Sequence, residues 1–229
     1  MVHDGEQELR SEIVTVIRPA ESKLRPRIVV QPKNVSLKAK TSNVYNASLK
    51  CRATLDGGND KLLQYHWQKK GASGWSTETI TLKTSFSVGG TCKRVSGQYR
   101  CKVVNRENGK SALSNTVRVW VKLGCINFRF KGFWLTGRVL GGMPDYKIVV
   151  VQHRPMDPKQ PARTLNLKVK VGANGSFSIP LDPNKYQYYT YLDESNGQKG
   201  MKKGRAYYSV IIYDADGLVY KTKSLPYPN

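Results

Sequence analysis

The sequence is poor in acids, in histidine and in long apolar runs. Against 38 lysines and arginines stand 16 aspartates and glutamates, with 3 histidines. No stretch approaches the roughly 20 apolar residues that a membrane-spanning helix needs, so no such span is expected. The opening MVHDGEQELRSEIVTVIR mixes both charges. A secretion leader has a basic start and then an apolar core of about 7–15 residues, so this opening is read as an uncleaved start. His3, His66 and His153 are scattered and no CxxC occurs, which argues against zinc. HExxH, GxSxG and a phosphate-binding P-loop are all missing.

The few acids offer little chemistry. Asp193 and Glu194 are the adjacent pair, and they sit in a polar stretch that reads as a solvated loop. DADG at 214–217 has the look of a calcium loop but lacks the later glutamate. Its place between two apolar runs makes it a hairpin turn. His66 precedes Trp67 on one strand and is expected to face outward, away from any general-base role. Catalysis requires converging acids, bases or nucleophiles, and none is legible. The expectation is a protein that is not an enzyme and needs no metal or cofactor.

What is abundant is positive charge. The net charge is +22, with a pI near 9.9. Residues 1–27 are neutral, residues 28–122 carry +13 and residues 123–229 carry +9. Such a surplus opposes self-association and draws the chain to polyanions. Nucleic acid, an acidic glycan, an anionic membrane and an acidic protein shell all qualify on charge alone.

The chain of 229 residues suits two small domains. Residues 1–27 form an arm, in which Ile13, Val14, Val16 and Ile17 mark one short strand. From residue 28 the pattern becomes short, β-branched and alternating, as in YNASLK, LLQYHW and GQYRCKVVN, with turns at DGGND, GASG and NRENGK. A second series follows residue 123, running through FWLTGRVL, YKIVVVQH, LNLKVKV, GSFSIPL and YYSVIIY. Alternate lysines on LNLKVKV are expected on one outer strand face. The segment from Asp182 to Arg205 reads as a long loop with one short strand. The fold class expected is all-β: two tandem β-sandwiches, 28–122 and 123–229, preceded by an extended arm.

Cys51, Trp67, Tyr99 and Cys101 carry the most specific signal. The tryptophan stands 16 residues after the first cysteine and 34 before the second, and Tyr99 lies two before Cys101. With QPKNVSLKA, LKCRA, YHWQKKG, SGQYRC and VVNRENGKSALSNTVRV, this resembles the I-set-like immunoglobulin domains of animal surface proteins and of tailed-phage virion proteins. The resemblance covers residues 28–122. It implies a Cys51–Cys101 bridge under oxidising conditions, Trp67 packed on it, and Tyr99 as a tyrosine corner whose hydroxyl returns to the backbone. The sequence departs at Val95, where such domains carry aspartate, so the Asp–Arg pair at the bottom of the sandwich is expected to be missing. The second series is similar to transthyretin-like and carboxypeptidase-regulatory-like sandwiches, which serve as rigid spacers. Cys92 and Cys125 are expected as two free thiols, with a second bridge across the domain junction as the alternative.

The resemblance implies a virion protein: a head decoration or tail-surface subunit made in the host cytoplasm. Its expected partners are an acidic capsid or tail surface and, through the projecting module, host-surface glycans. The alternatives are an extracellular adhesion or receptor-like module and a polyanion binder. Basic clusters supply candidate anion contacts at Lys69, Lys70, Lys199, Lys202, Lys203 and Arg205. Nucleic acid is not the expected partner, because aromatics beside basic groups occur only where YQYYTY at 186–191 approaches KKGR. The sequons at Asn34, Asn46 and Asn174 matter only on a secretory route.

Overall fold

The computed structural model describes residues 25–56, 59–155, 161–193 and 200–228. The arm strand expected around Ile13–Ile17 lies outside them, as does Lys199.

Strict alternation builds the first sandwich. In β3 (Tyr45–Lys50) the side chains of Tyr45, Ala47 and Leu49 are buried and those between are exposed. One sheet pairs β1 (Pro26–Val30) with β4 (Arg52–Leu55), and β3 with β7 (Ser85–Gly90), all antiparallel. β3 and β4 are one strand interrupted at Cys51, whose N–H donates to the Thr84 carbonyl at 2.8 Å. The facing sheet has the order β2 (Val35–Leu37), β10 (Val117–Val121), β8 (Gly97–Asn105), β5 (Leu63–Gly71), β6 (Gly74–Thr81). β9 (Ser111–Leu113) also pairs with β8, so the last strand of the sandwich is broken into β9 and β10. β2 runs parallel to β10 while its other neighbours are antiparallel. The first strand thus divides between the two sheets, as in an immunoglobulin-like sandwich. Within it α1 (Cys92–Val95) is one short helical turn, and a 3₁₀ turn covers Asp60–Leu62.

The second sandwich sets a three-stranded sheet of β11 (Gly124–Lys131), β12 (Trp134–Leu140) and β15 (Ser176–Pro180) against a larger one. The larger has the order β14 (Arg163–Leu165), β13 (Lys147–His153), β18 (Tyr207–Tyr213), β19 (Val219–Lys221), and β20 (Leu225–Pro226) also pairs with β18. Its core joins Leu135, Val150, Phe177, Ile179, Val210 and Ile212. This core shares no residue with that of the first sandwich. A buried polar chain crosses it. The Tyr208 hydroxyl donates to the Tyr186 carbonyl (2.5 Å) and accepts from the Gln152 amide (2.6 Å), whose oxygen accepts from Arg163 (2.6 Å). Tyr208, Gln152 and Arg163 thus satisfy one another, as burial without a partner would be costly.

The structure corrects two sequence expectations. The stretch 182–205 holds more than a loop with one strand: after α2 (Pro183–Tyr186), β16 (Tyr188–Asp193) and β17 (Gly200–Arg205) form a hairpin over six paired positions. Its glycine- and lysine-rich second strand has little β propensity, and the cross-strand tyrosines compensate. LNLKVKV shows the opposite mismatch. Lys168 and Lys170 do face outward and Leu167 and Val169 are half-buried, yet the ladder ends at Leu165. There the Leu167 N–H turns back onto the Leu165 carbonyl (2.9 Å).

Candidate functional site

The four signature residues converge. Trp67 stands opposite Cys101 in the β5–β8 register, and Trp67, Tyr99, Cys51 and Cys101 are fully buried. Phe86 stacks on Trp67 with ring centres 5.6 Å apart and leans on Tyr99 at 6.3 Å. Cys51 and Cys101 are free thiols, and they are hydrogen-bonded to each other. The adjacent Cys51 thiol and burial together push the Cys101 thiol well above the ordinary range. Neither sulfur presents a nucleophile to solvent.

The bottom of this sandwich is closed by the Tyr99 bond that the resemblance implies and by an ion pair that the sequence does not reveal. The Tyr99 hydroxyl donates to the Val95 carbonyl at 3.0 Å, with burial pushing its pKa up to about 12. Val95 is itself buried. The charge pair moves one residue back and one strand across: the Arg94 guanidinium meets Glu78 of β6 at 2.5 Å. Lys69 donates to the Arg94 carbonyl (2.6 Å) and lies over the Tyr99 ring. Burial, then Arg94, lowers its pKa. A glutamate three places before an outward-facing strand end gave no warning of this pairing.

The other sequence-selected cations do not gather. Lys70 is exposed beside Lys69 at the end of β5. Lys202 and Lys203 are exposed on β17, in the other sandwich. Arg205 donates through Nε to the Tyr227 carbonyl (2.5 Å), fastening the C-terminal segment. These residues make two separate basic surfaces, with Lys69 and Arg205 partly committed to internal bonds.

The junction between the sandwiches is the most constructed region. β10 leads into β11 through Lys122 and Leu123. Gly141 and Gly142 press on this linker, with φ of 67° and 64°. A Cβ on Gly141 would overlap the Lys122 carbonyl oxygen, and one on Gly142 would overlap Leu123. The Gly142 N–H donates to the Val121 carbonyl (3.2 Å), and the Cys92 thiol donates to the Gly142 carbonyl. Arg118 of β10 pairs with Asp216 at 3.1 Å. Buried Asp214 accepts N–H bonds from Met143 (2.8 Å), Asp216 (3.0 Å) and Leu218 (2.7 Å). DADG is thus a turn, as its sequence indicates, and its first aspartate also anchors the Gly141–Pro144 loop. Beside it opens a cleft of about 720 Å³, lined by Asn43 and Lys93 on one side and Arg138, Asp145 and Tyr146 on the other. Cys92 bonds to Gly142 and Ser96, while Cys125 contacts the Ile126 carbonyl, so they do not bond to each other.

No protein family and no curated protein matches the sequence. Solved structures show a likeness. Sidekick-1 immunoglobulin domains 1–4 are 16% identical with a TM-score of 0.39, over 90% of this chain and 49% of that one. The N-terminal Ig1-2 module of the Drosophila receptor protein tyrosine phosphatase DLAR gives 13% and 0.30, over 88% and 97%. Bovine butyrophilin gives 12% and 0.33, over 89% and 99%. The chain spans about half the length of the Sidekick-1 fragment. The immunoglobulin-like assignment rests on the first sandwich's own strand order and core.

Among the described residues no cluster of three or more His, Cys, Asp or Glu could hold a metal ion. No described helix is long and apolar enough to cross a membrane. Among the described residues, six acids are committed to bonds within the chain. Asp56 pairs with Arg27, Glu78 with Arg94 and Asp216 with Arg118. Asp60 accepts from the Leu55 N–H, Asp182 caps α2, and Asp214 holds the junction.

Proposed function

We propose that this chain is a non-enzymatic docking and display protein of the tailed-phage type, a head decoration or tail-surface subunit. Its partner is an acidic protein shell, with one sandwich docked and the other projecting toward host-surface glycans. The supporting observation is the imbalance of charge: the sequence carries +22, and among the described residues six acids are committed to ion pairs, a cap, a turn and the junction. A surface of one sign raises the rate and specificity of docking on its complement. Many copies on one shell turn weak contacts into avidity. The bonds across the junction suit a spacer that holds its outer module at a set distance.

Mass spectrometry and electron microscopy of purified particles test the reading. The expected result is many copies at the particle surface, released as salt rises. Particles that lack the protein would overturn it.

A second reading, an extracellular adhesion or receptor-like module, is favoured by one observation. The adjacent Cys51 and Cys101 thiols are placed for the bridge that an oxidising compartment would form. An in-frame secretion signal upstream of this sequence in the gene would select it. Neighbouring capsid or tail genes would select the first.

A further inference from the structure

The end of the second sandwich remote from the junction carries a set of side chains that the docking reading does not use. β12 starts at Trp134 and ends at Leu140, beside Gly141 and the linker. β18 starts at Tyr207 and ends at Tyr213, beside Asp214. Trp134 and Tyr207 therefore mark the opposite end. Here the β11–β12 turn, with Gly132 at φ 55°, exposes two consecutive aromatics, Phe133 (48%) and Trp134 (49%). A solvated turn gains nothing from a Phe-Trp pair left half in water.

The turn is held firmly. The Leu181 N–H donates to the Phe133 carbonyl at 2.9 Å, and the Phe133 ring stacks on Tyr227 with centres 6.2 Å apart and planes 18° from parallel. Arg205 fixes Tyr227, and the Ala206 N–H meets the Gln187 carbonyl (3.1 Å). These bonds bring the base of the β16–β17 hairpin to the same end. On its outer face Tyr188 (47%) stands opposite Arg205, Thr190 opposite exposed Lys203, and Met201 is 68% exposed. Tyr189 and Gly204 make the inner face. Exposed Lys131 precedes the turn and exposed Lys185 follows on α2. Asp182 beside them is spent on the Asn184 N–H.

We propose that this end is a docking surface for an anionic phospholipid bilayer, with Phe133 and Trp134 entering the interface and Tyr188 at the base of the neighbouring hairpin. Tryptophan, tyrosine and phenylalanine partition to the headgroup level of a bilayer. Lysines around them add attraction to anionic headgroups. Surface binding scales with buried apolar area plus that attraction. Phe133 has no side-chain donor or acceptor for a sugar hydroxyl and the Met201 thioether is only a weak acceptor, so this composition favours an apolar interface over a glycan. The charge complementarity extends over the whole sandwich, which carries +9. The proposal needs no virion and stands apart from the reading above.

Sedimentation of the full chain with vesicles tests it, using phosphatidylcholine alone and phosphatidylcholine mixed with phosphatidylglycerol. Binding is expected to the mixed vesicles and not to the neutral ones. Phe133→Ser and Trp134→Ser are each expected to weaken it by roughly tenfold. Leu113→Ser, at an exposed site of the first sandwich, should leave it unchanged. Brominated lipid should quench part of the wild-type fluorescence, and less of that of Trp134→Phe. Both serine sites are half-exposed, so an unchanged melting temperature certifies folding. Three results would overturn the proposal. One is no sedimentation. Another is sedimentation that both serine variants retain, which is charge alone. The third is a Phe133- and Trp134-dependent affinity for heparin or an oligonucleotide without lipid binding.

Discussion

Oxidation of Cys51 and Cys101 gives the sharpest test of the first sandwich. The two thiols lie against each other in a core that excludes water, with Trp67 facing Cys101 across the ladder. A bond between them closes a loop of 50 residues. Loop-closure entropy then stabilises the folded state by about 4 kcal/mol. For a β domain of this size that raises the melting temperature on the order of 20 °C, and about 8–16 °C if both sandwiches melt together. Rate matters as much as magnitude. Exchange with oxidised glutathione needs a thiolate that the oxidant can reach; Cys101 lowers the pKa of the Cys51 thiol, but both sulfurs are sealed from solvent. The native protein should therefore oxidise slowly at neutral pH, and much faster in urea just below the unfolding transition. Differential alkylation with peptide mapping follows the pair, and calorimetry with and without reductant reads the gain. Fast native oxidation would refute the sealed core. A mapped Cys51–Cys101 bond with no rise in melting temperature would refute the entropic argument.

Gly141→Ala places a Cβ against the Lys122 carbonyl at a left-handed φ. It should cost about 2–4 kcal/mol and expose the linker to limited proteolysis; wild-type resistance would count against a tight junction. Tyr99 and Tyr146 are each raised by burial to about 12, and Cys125 to about 11. The unfolded chain loses these protons first, so their contribution is complete below pH 9. It falls as pH climbs from there toward 12. Melting temperatures from pH 8 to 11 should decline, and Tyr99→Phe or Tyr146→Phe should flatten the curve. Glu78→Gln removes the partner of Arg94 at a part-exposed site. It should cost about 1 kcal/mol in urea unfolding, and no cost would mean the pair is ornamental.

The first sandwich was legible because its signals are local and chemically rare. A cysteine, a tryptophan and a Tyr-x-Cys at fixed intervals, each on an alternating run, specify strand, face and partner together. Where the signal needed a distant partner, reading failed. Nothing near Val95 says that Glu78 supplies the charge its neighbour Arg94 will meet. The lysine-rich strand Gly200–Arg205 has a loop's composition. It becomes a strand because Tyr188, Tyr189 and Tyr191 stand across from it. LNLKVKV has a strand's alternation, yet no neighbour extends the ladder past Leu165. The candidate cations were chosen by sequence proximity, which placed Lys69 and Arg205 on internal carbonyls. The paired glycines before Met143 and the first aspartate of DADG were visible in the sequence. Their meeting across 71 residues was not.

That meeting governs what the rest of the molecule is free to become. The bearing of one sandwich on the other is set largely by backbone groups, by two glycines and by a carboxylate hidden beneath a turn. Apart from the Arg118–Asp216 pair, exposed strand faces and turn tips take no part in it. New side chains or grafted loops on either outer surface would thus inherit the same reach and aim, so recognition can be rewritten while the geometry of presentation stays constant.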